Sequence, residues 1–178
     1  MYSFSNKNQK IALVGCGYWG TIIAKTLIEL NFNNILIYDS NHRNMNTLKK
    51  KFSNLKTCNN YNEILNDHNL KNIFFATPPS INFQIVKKAL INKKDVFLEK
   101  PGVTKLHEIK SLNLLSLKYK NKLMFGYVYC FNDHIRYIKN VLKKKLLGKI
   151  LYISFQRQNL GPIRNDVNVA DDLSSHDL

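Results

Sequence analysis

The chain has 178 residues, enough for one domain and part of a second, and its 44% hydrophobic content is ordinary for a globular protein and excludes an intrinsically disordered one. No apolar run approaches the roughly 20 residues of a membrane-spanning helix, and Met1 to Lys10 lacks the apolar core of a signal peptide. We therefore expect a cytoplasmic protein without a membrane partner. Three widely spaced cysteines, Cys16, Cys58 and Cys130, suggest neither a disulfide framework nor a metal cluster.

The formal net charge is +15, from 27 Lys and Arg against 12 Asp and Glu. A basic surface attracts phosphates regardless of sequence, so a nucleic-acid-binding protein is one interpretation. The lysines are instead spread over several predicted helices without aromatic residues between them, and the sequence contains no recognisable nucleic-acid-binding motif. We therefore favour solvated helix faces, whose positive field also suits an anionic small substrate.

The first predicted elements are a strand over Ile11 to Val14 and a helix over Thr21 to Leu30, joined by a glycine-rich turn. In that turn Gly15 allows a sharp bend, Gly17 lets a pyrophosphate approach the backbone, and Gly20 lets the helix pack close to the strand. The turn has the G-x-G-x-x-G pattern of dinucleotide-binding sites and reads Gly15-Cys16-Gly17-Tyr18-Trp19-Gly20. All of its residues except Cys16 are predicted to bind a cofactor. Such turns also form for packing alone, so the pattern leaves both interpretations open.

The second predicted strand, Ile35 to Tyr38, ends in Asp39, about 20 residues after Gly20, which is the spacing that the dinucleotide fingerprint expects. A carboxylate at this point accepts hydrogen bonds from the adenosine ribose and repels a 2′-phosphate, so it favours NAD over NADP. Arg43 could meet a 2′-phosphate, which keeps NADP open. The alternative for Asp39 is a solvated residue in a strand-to-helix loop.

Strands and helices continue to alternate as far as Tyr127. The later strands are predicted over Lys56 to Cys58, Asn72 to Ala76, Asp95 to Leu98 and Lys122 to Tyr127. The helices are predicted over Arg43 to Phe52, Tyr61 to Asn66, Ile81 to Ile91 with Ser80 as its N-cap, and Lys105 to Tyr119 with Thr104 as its N-cap. This alternation predicts an α/β fold with a doubly wound parallel sheet, which binds its ligand at the carboxyl ends of the strands. That edge carries the glycine turn, Asp39, Thr77 to Pro79 and Glu99 to Pro101.

Beyond Tyr127 the pattern changes. A helix is predicted over His134 to Leu147 with Gly148 as its C-cap, and a strand is predicted over Lys149 to Phe155. A polar stretch follows to Leu178.

Six pieces of the sequence, in this order, resemble the Gfo/Idh/MocA oxidoreductases, which are NAD(P)-dependent dehydrogenases of sugars, inositols and nucleotide sugars. The pieces are Val14-Gly15-Cys16-Gly17-Tyr18-Trp19-Gly20, Ala76-Thr77-Pro78-Pro79, Glu99-Lys100-Pro101, Gly126-Tyr127 with Phe131-Asn132, Gly148-Lys149-Ile150, and Asp172 with His176. The resemblance implies a Rossmann-type NAD(P)-binding domain over residues 1–122 and the start of an α+β substrate domain over 123–178. The segment Asn159 to Asn168 looks like members associated with polysaccharide and nucleotide-sugar metabolism.

The resemblance also implies roles for individual residues. Lys100 would touch the substrate hydroxyl and the nicotinamide region, where a fixed positive charge stabilises a developing alkoxide. His176 would be the general base, and Asp172 would orient it or bind the sugar. Thr77, Pro78 and Glu99 would contact the cofactor. The simpler alternatives are a solvated lysine in a basic chain and an ordinary surface histidine.

The sequence departs from the family pattern at three positions. Asn82 stands where many members have a histidine, Lys93 stands where a glycine usually precedes the fifth strand, and Asp171 replaces an aromatic or apolar residue. These changes put local contacts in doubt, and the fold is unaffected.

The family's second domain continues well beyond the Asp172 to His176 segment, whereas the sequence ends at Leu178. We therefore expect a truncated second domain that favours dinucleotide binding over turnover, and a homo-oligomer when the chain is full length. The leading hypothesis is an NAD(P)-dependent dehydrogenase acting on a secondary hydroxyl of a sugar or nucleotide sugar. The alternative is a catalytically silent dinucleotide-binding or regulatory module.

Overall fold

The computed structural model describes residues 8–154 and 156, which fall into two compact units, one ending at Phe125 and the other beginning at Gly126. The first unit is a six-stranded parallel sheet in the order β3-β2-β1-β4-β5-β6. Its strands are β1 Lys10–Val14, β2 Ile35–Tyr38, β3 Lys56–Thr57, β4 Leu70–Phe75, β5 Asp95–Leu98 and β6 Leu123–Phe125. Its helices are α1 Tyr18–Glu29, α2 His42–Lys51, α3 Tyr61–Asn66, α4 Pro79–Ile91 and α5 Leu106–Tyr119. The predicted α/β fold with a doubly wound parallel sheet is confirmed.

The central strand β1 is buried on both faces. Its side chains point alternately to the two sides of the sheet, so Ile11 and Leu13 join one hydrophobic cluster while Ala12 and Val14 join the other. A strand between two helical layers has no solvated face, which is why this segment reads as an unbroken apolar run in the sequence. Each Leu or Ile buried in this way stabilises the fold by about 1.5–3 kcal/mol.

The amino-terminal edge of the sheet holds a polar cluster. The buried Lys94 ammonium donates to the carbonyl oxygens of Asp67 at 2.6 Å and Leu70 at 2.7 Å, and burial lowers its pKa. Lys10 pairs with the Asp67 carboxylate at 2.5 Å, and this hydrogen bond lowers the pKa of Asp67. The cluster ties β1, β4 and β5 together at the edge opposite the glycine turn.

The helix starts differ from the predicted ones. Helix α4 begins at Pro79 with Pro78 as its N-cap, and α5 begins at Leu106 with Lys105 as its N-cap, so Ser80 and Thr104 are not caps. Proline is favoured in the first turn because it lacks the N–H that would go unpaired there. Ile81 and Leu106, apolar residues in the first turns of α4 and α5, are exposed.

Four helices end in the same way, at a left-handed residue that is not glycine. Asn31, Lys93, Lys120 and Lys145 have φ between 55° and 65°. After α4, the Lys93 N–H donates to the Leu90 carbonyl oxygen and the Lys94 N–H donates to the Ala89 carbonyl oxygen. This is the Schellman arrangement, in which glycine is preferred because a Cβ is strained there. Lys93, which stands where the family pattern has a glycine, therefore still adopts the left-handed backbone conformation that glycine favours.

The second unit contains a short 3₁₀ helix, Val128–Phe131, and α6 Asp133–Lys143, whose N-cap Asn132 accepts hydrogen bonds from His134 and Ile135. Helix α6 ends four residues before the predicted Leu147, because the backbone turns into the left-handed region at Lys145. The predicted strand over Lys149 to Phe155 is also wrong for the described residues 149–154, which form no strand. No helix in the described part of the chain is long and apolar enough to cross a membrane.

The predicted boundary at residue 122 assigned the last strand to the second domain. Strand β6 instead pairs with β5 along Val96 to Leu98, and the first unit ends after it.

Replacing Lys93 with glycine should stabilise the first unit by about 0.5–1 kcal/mol, because the strain of a left-handed lysine exceeds the entropy that glycine loses on folding. Urea unfolding followed by circular dichroism measures the change. Lys93→Ala is the matched control, since it removes the same charge and keeps a Cβ. An equal gain from both variants would assign the effect to charge and contradict the backbone explanation.

Candidate functional site

The carboxyl ends of the central strands are in register. Val14 lies beside Tyr38 on one side and beside Phe75 on the other, and Phe75 lies beside Leu98. The pairing continues one residue further, because the N–H groups of Gly15, Ala76 and Glu99 donate to carbonyl oxygens of the neighbouring strands at 2.8, 2.9 and 3.0 Å. The segments that follow β1, β2, β4 and β5 therefore leave the sheet side by side. They carry the residues that the sequence predicted for the site, except Asp172 and His176.

Gly15 and Gly20 are required by close packing. A Cβ on Gly15, where φ is +95°, would overlap the Ala76 carbonyl group, and a Cβ on Gly20 would overlap the Gly15 carbonyl oxygen. These two glycines let α1 and β4 approach the end of β1.

Gly17 differs from its two neighbours. It is exposed, and among the described residues no heavy atom outside Gly17 and its two chain neighbours lies within 4 Å of the place that its Cβ would take. Gly17 is the N-cap of α1, and the first turn of that helix, Tyr18 to Thr21, has no acidic side chain. Gly17 makes no side-chain cap hydrogen bond, so the first N–H groups of this helix lack a side-chain cap, and an anion would be stabilised there. Packing does not explain why position 17 is a glycine. A bound dinucleotide phosphate would explain it, because the phosphate would take the space that a side chain would fill.

Asp39 is fastened to the glycine turn. Its Oδ2 accepts a hydrogen bond from the Cys16 backbone N–H at 2.8 Å and one from Asn44 Nδ2 at 3.2 Å, and its Oδ1 accepts one from the Asn41 N–H at 2.8 Å. The structure thus brings the predicted acid directly to the predicted phosphate-binding turn. Its half-buried carboxylate is not the freely solvated one that the alternative required.

Cys16 is buried within the same turn, and its Sγ lies 3.6 Å from the Tyr38 carbonyl oxygen. Burial, together with the nearby Asp39 charge, raises the pKa of this thiol to about 12. The thiol is therefore protonated at neutral pH and is not a nucleophile.

Tyr18 and Trp19 sit at the exposed start of α1. Their side chains are 79% and 46% exposed, and their rings meet edge to face with centroids 5.9 Å apart. Large aromatic side chains left in water beside the glycine turn are available to a ligand bound there.

Asn82 joins the segments after β4 and β5. This side chain is only 1% exposed; its Nδ2 donates to the Gly102 carbonyl oxygen at 2.6 Å, and its Oδ1 accepts from the Thr77 hydroxyl at 2.5 Å. The sequence marked Asn82 only as a departure from the family pattern. A polar residue on the apolar side of a predicted helix is the signal that could have identified it, because such residues are buried only with partners.

Glu99 and Lys100 follow β5 and are both partly buried. Burial raises the pKa of Glu99, while the Lys100 backbone N–H and the Lys100 charge partly oppose that rise. The ionised form of the Glu99 carboxyl therefore destabilises the fold. Titratable groups in such unfavourable surroundings are typical of functional sites.

His176 and Asp172 lie outside the described residues, so their predicted roles rest on the sequence alone. Within the first unit, the predicted cofactor-binding residues Gly15, Gly17, Gly20 and Asp39 form one continuous group. Thr77 reaches the same group, because its methyl carbon would lie 3.0 Å from a Cβ on Gly15. An open helix start next to a tethered carboxylate fits the phosphates and the ribose of a dinucleotide.

Comparison with known proteins finds relatives in sequence and in fold. The oxidoreductase YrbE of Bacillus subtilis is 27% identical over 123 residues, covering 66% of this chain and 36% of that protein. Among solved structures, yvaA from Bacillus subtilis aligns with a TM-score of 0.78 at 20% identity, covering 96% of this chain and 50% of that one. Scyllo-inositol dehydrogenase from Lactobacillus casei, solved with NAD(H) and scyllo-inositol, aligns with a TM-score of 0.68 at 22% identity, covering 79% of this chain and 42% of that one.

The chain spans half or less of the length of each of these relatives. Residues 9–127 match the Gfo/Idh/MocA family, described as an oxidoreductase family with an NAD-binding Rossmann fold. The match covers the whole parallel sheet and every described residue of the predicted cofactor site. The chain therefore belongs to the Gfo/Idh/MocA family of oxidoreductases and contains its NAD-binding Rossmann domain.

Proposed function

We propose that this chain is the cofactor-binding part of a dehydrogenase that transfers a hydride between a nicotinamide cofactor and a secondary hydroxyl of a sugar or nucleotide sugar. The observation that carries the proposal is the 2.8 Å hydrogen bond from the Cys16 N–H to Asp39. It couples a ribose-binding carboxylate to a phosphate-binding turn, and both are needed to hold a dinucleotide.

The strand order supports a direction for the cofactor. Asp39 follows β2 on one side of β1, while Thr77 and Lys100 follow β4 and β5 on the other side. A dinucleotide whose adenosine binds at Asp39 and whose pyrophosphate binds at Gly17 extends toward β4 and β5. The proposed nicotinamide end then lies on the side of Lys100.

Lys100 would act on the substrate hydroxyl. A fixed ammonium beside that hydroxyl stabilises the alkoxide that develops as its proton leaves, and partial burial strengthens the effect because water screens the charge less. NAD, when bound, supplies the hydride acceptor. His176 would accept the hydroxyl proton and Asp172 would orient the imidazole; both assignments rest on the family resemblance.

The substrate class rests on two supports. The Lactobacillus casei neighbour was solved with a cyclic polyol whose hydroxyls are secondary. The net charge of +15 favours an anionic substrate, and a nucleotide sugar combines such hydroxyls with a diphosphate.

Gly17 and Gly20 should respond oppositely to substitution. Gly17→Ala leaves stability nearly unchanged, because the added methyl enters open space, yet it weakens NADH binding at least roughly tenfold by occupying the phosphate position. Gly20→Ala destabilises the fold, because its methyl overlaps the Gly15 carbonyl oxygen. Thermal unfolding and NADH titration by calorimetry separate the two effects. Unchanged NADH affinity in a folded Gly17→Ala variant would remove the phosphate site from this turn.

Glu99→Gln should raise the melting temperature by a few degrees near about pH 8. Folding raises the pKa of Glu99, so the ionised carboxylate destabilises the fold; this cost grows as the pH rises past the unfolded pKa and is complete above the folded pKa. The advantage of the variant should shrink as the pH falls through the folded pKa and vanish below about pH 4, where wild-type Glu99 becomes protonated in both states. The exposed Glu29→Gln serves as control. An advantage that is constant with pH would contradict the burial explanation.

In a full-length version of the enzyme, Lys100→Ala should lower turnover by roughly a hundredfold or more while leaving the Kd for NADH within about twofold, because the ammonium acts on the developing alkoxide. The assay follows NADH formation with NAD and either scyllo-inositol or a panel of nucleotide sugars. Lys105→Ala, an exposed lysine in the same segment, controls for the loss of charge. Wild-type turnover in the Lys100 variant would overturn its role. NADH binding without turnover in the wild-type chain would favour the silent module.

A further inference from the structure

The Asp39 carboxylate is held from three directions. One donor is the Cys16 N–H in the glycine turn, the second is the Asn41 N–H at the start of α2, and the third is the Asn44 side-chain amide in the first turn of α2. Two of these donors belong to the backbone. The Asn44 amide is the donor that depends on a side chain.

The number of acceptor positions limits what Asp39 can do for a ligand. An ionised carboxylate has two oxygens with about four lone-pair sites. Oδ2 already accepts from Cys16 and Asn44, and Oδ1 already accepts from Asn41. One acceptor site remains, on Oδ1, so Asp39 accepts a hydrogen bond from a single ribose hydroxyl. The direction in which this lone pair points depends on how firmly the carboxylate is held.

We propose that Asn44 is a positioning residue that sets the preference of this site for NADH over NADPH. The proposal rests on the proposed dinucleotide binding and adds a residue that acts through Asp39. By donating to Oδ2 from the helix side, the Asn44 amide adds a third restraint to the two backbone hydrogen bonds and narrows the range over which the carboxylate, and with it the remaining acceptor of Oδ1, can move relative to the ribose.

The same restraint explains the rejection of a 2′-phosphate. A fixed carboxylate cannot turn away from a phosphate, so both the charge repulsion and the desolvation cost remain. A carboxylate without the Asn44 hydrogen bond keeps only its two backbone donors and can shift further away from a 2′-phosphate. The exposed Arg43, one residue earlier, is then the nearest cation along the chain for a 2′-phosphate.

The test compares NADH and NADPH affinities by calorimetry for the wild-type chain, Asn44→Ala, Asn44→Leu and Asn46→Ala. Leucine keeps the size of the side chain and removes its hydrogen bond, while Asn46 is an exposed asparagine on the same helix and provides the matched control. We expect the ratio of NADH to NADPH affinity to fall roughly threefold to tenfold in both Asn44 variants and to stay unchanged in Asn46→Ala. A fall in the alanine variant alone would indicate packing and overturn the proposal.

A double-mutant cycle identifies the route of the effect. In an Asp39→Ala background, Asn44→Ala should leave the affinity ratio unchanged, because the group through which Asn44 acts is absent. Full additivity of the two substitutions would overturn the proposal. An unchanged ratio in the single Asn44 variants, with wild-type NADH binding intact, would overturn it while leaving the proposed function standing. Wild-type chain that binds neither nucleotide would overturn both.

Discussion

Close contact between three backbone segments at the carboxyl end of β1 fixes the geometry on which the site depends. Gly15 packs against the Ala76 carbonyl group, and Gly20 packs against the Gly15 carbonyl oxygen. Because neither position has room for a Cβ, the start of α1 packs closely against the ends of β1 and β4. The Cys16 N–H then points to Asp39, and the next residue, Gly17, faces open space. Packing and ligand binding are thus divided among the glycines of one short turn.

Much of this arrangement follows from the sequence. Buried parallel strands are continuous apolar runs, so β2 and β5 match their predicted bounds residue for residue. Right-handed crossovers bring the strand ends to one edge, which is sufficient to group the glycine turn, Asp39, Thr77 and Glu99 without coordinates. The topology of the sheet could be predicted from the sequence, because the hydrophobic pattern and the right-handed crossover rule leave few alternative strand arrangements.

Features that depend on individual contacts were less accessible. The caps at Ser80 and Thr104 were wrong because a proline and a lysine occupy the N-cap positions of α4 and α5, where side-chain capping was expected. The hydrogen bonds of Asn82 join segments 20 residues apart, which no local pattern encodes. The helix and strand predicted after residue 133 relied on local signals, namely periodicity, β-branched residues and Gly148 as a C-cap. Over the described residues of that region the side chains of α6 are mostly exposed, so no packing enforces the predicted lengths.

The placement of Trp19 has a practical consequence. It is the only tryptophan in the sequence, and it lies partly exposed in the first turn of α1, two residues after Gly17. Indole emission overlaps the absorption band of reduced nicotinamide, so excitation energy passes from this ring to a nearby dihydronicotinamide. The protein therefore carries an intrinsic fluorescent probe beside its glycine turn. Binding of the reduced cofactor can be followed by tryptophan fluorescence in the native chain, without a dye or a tag.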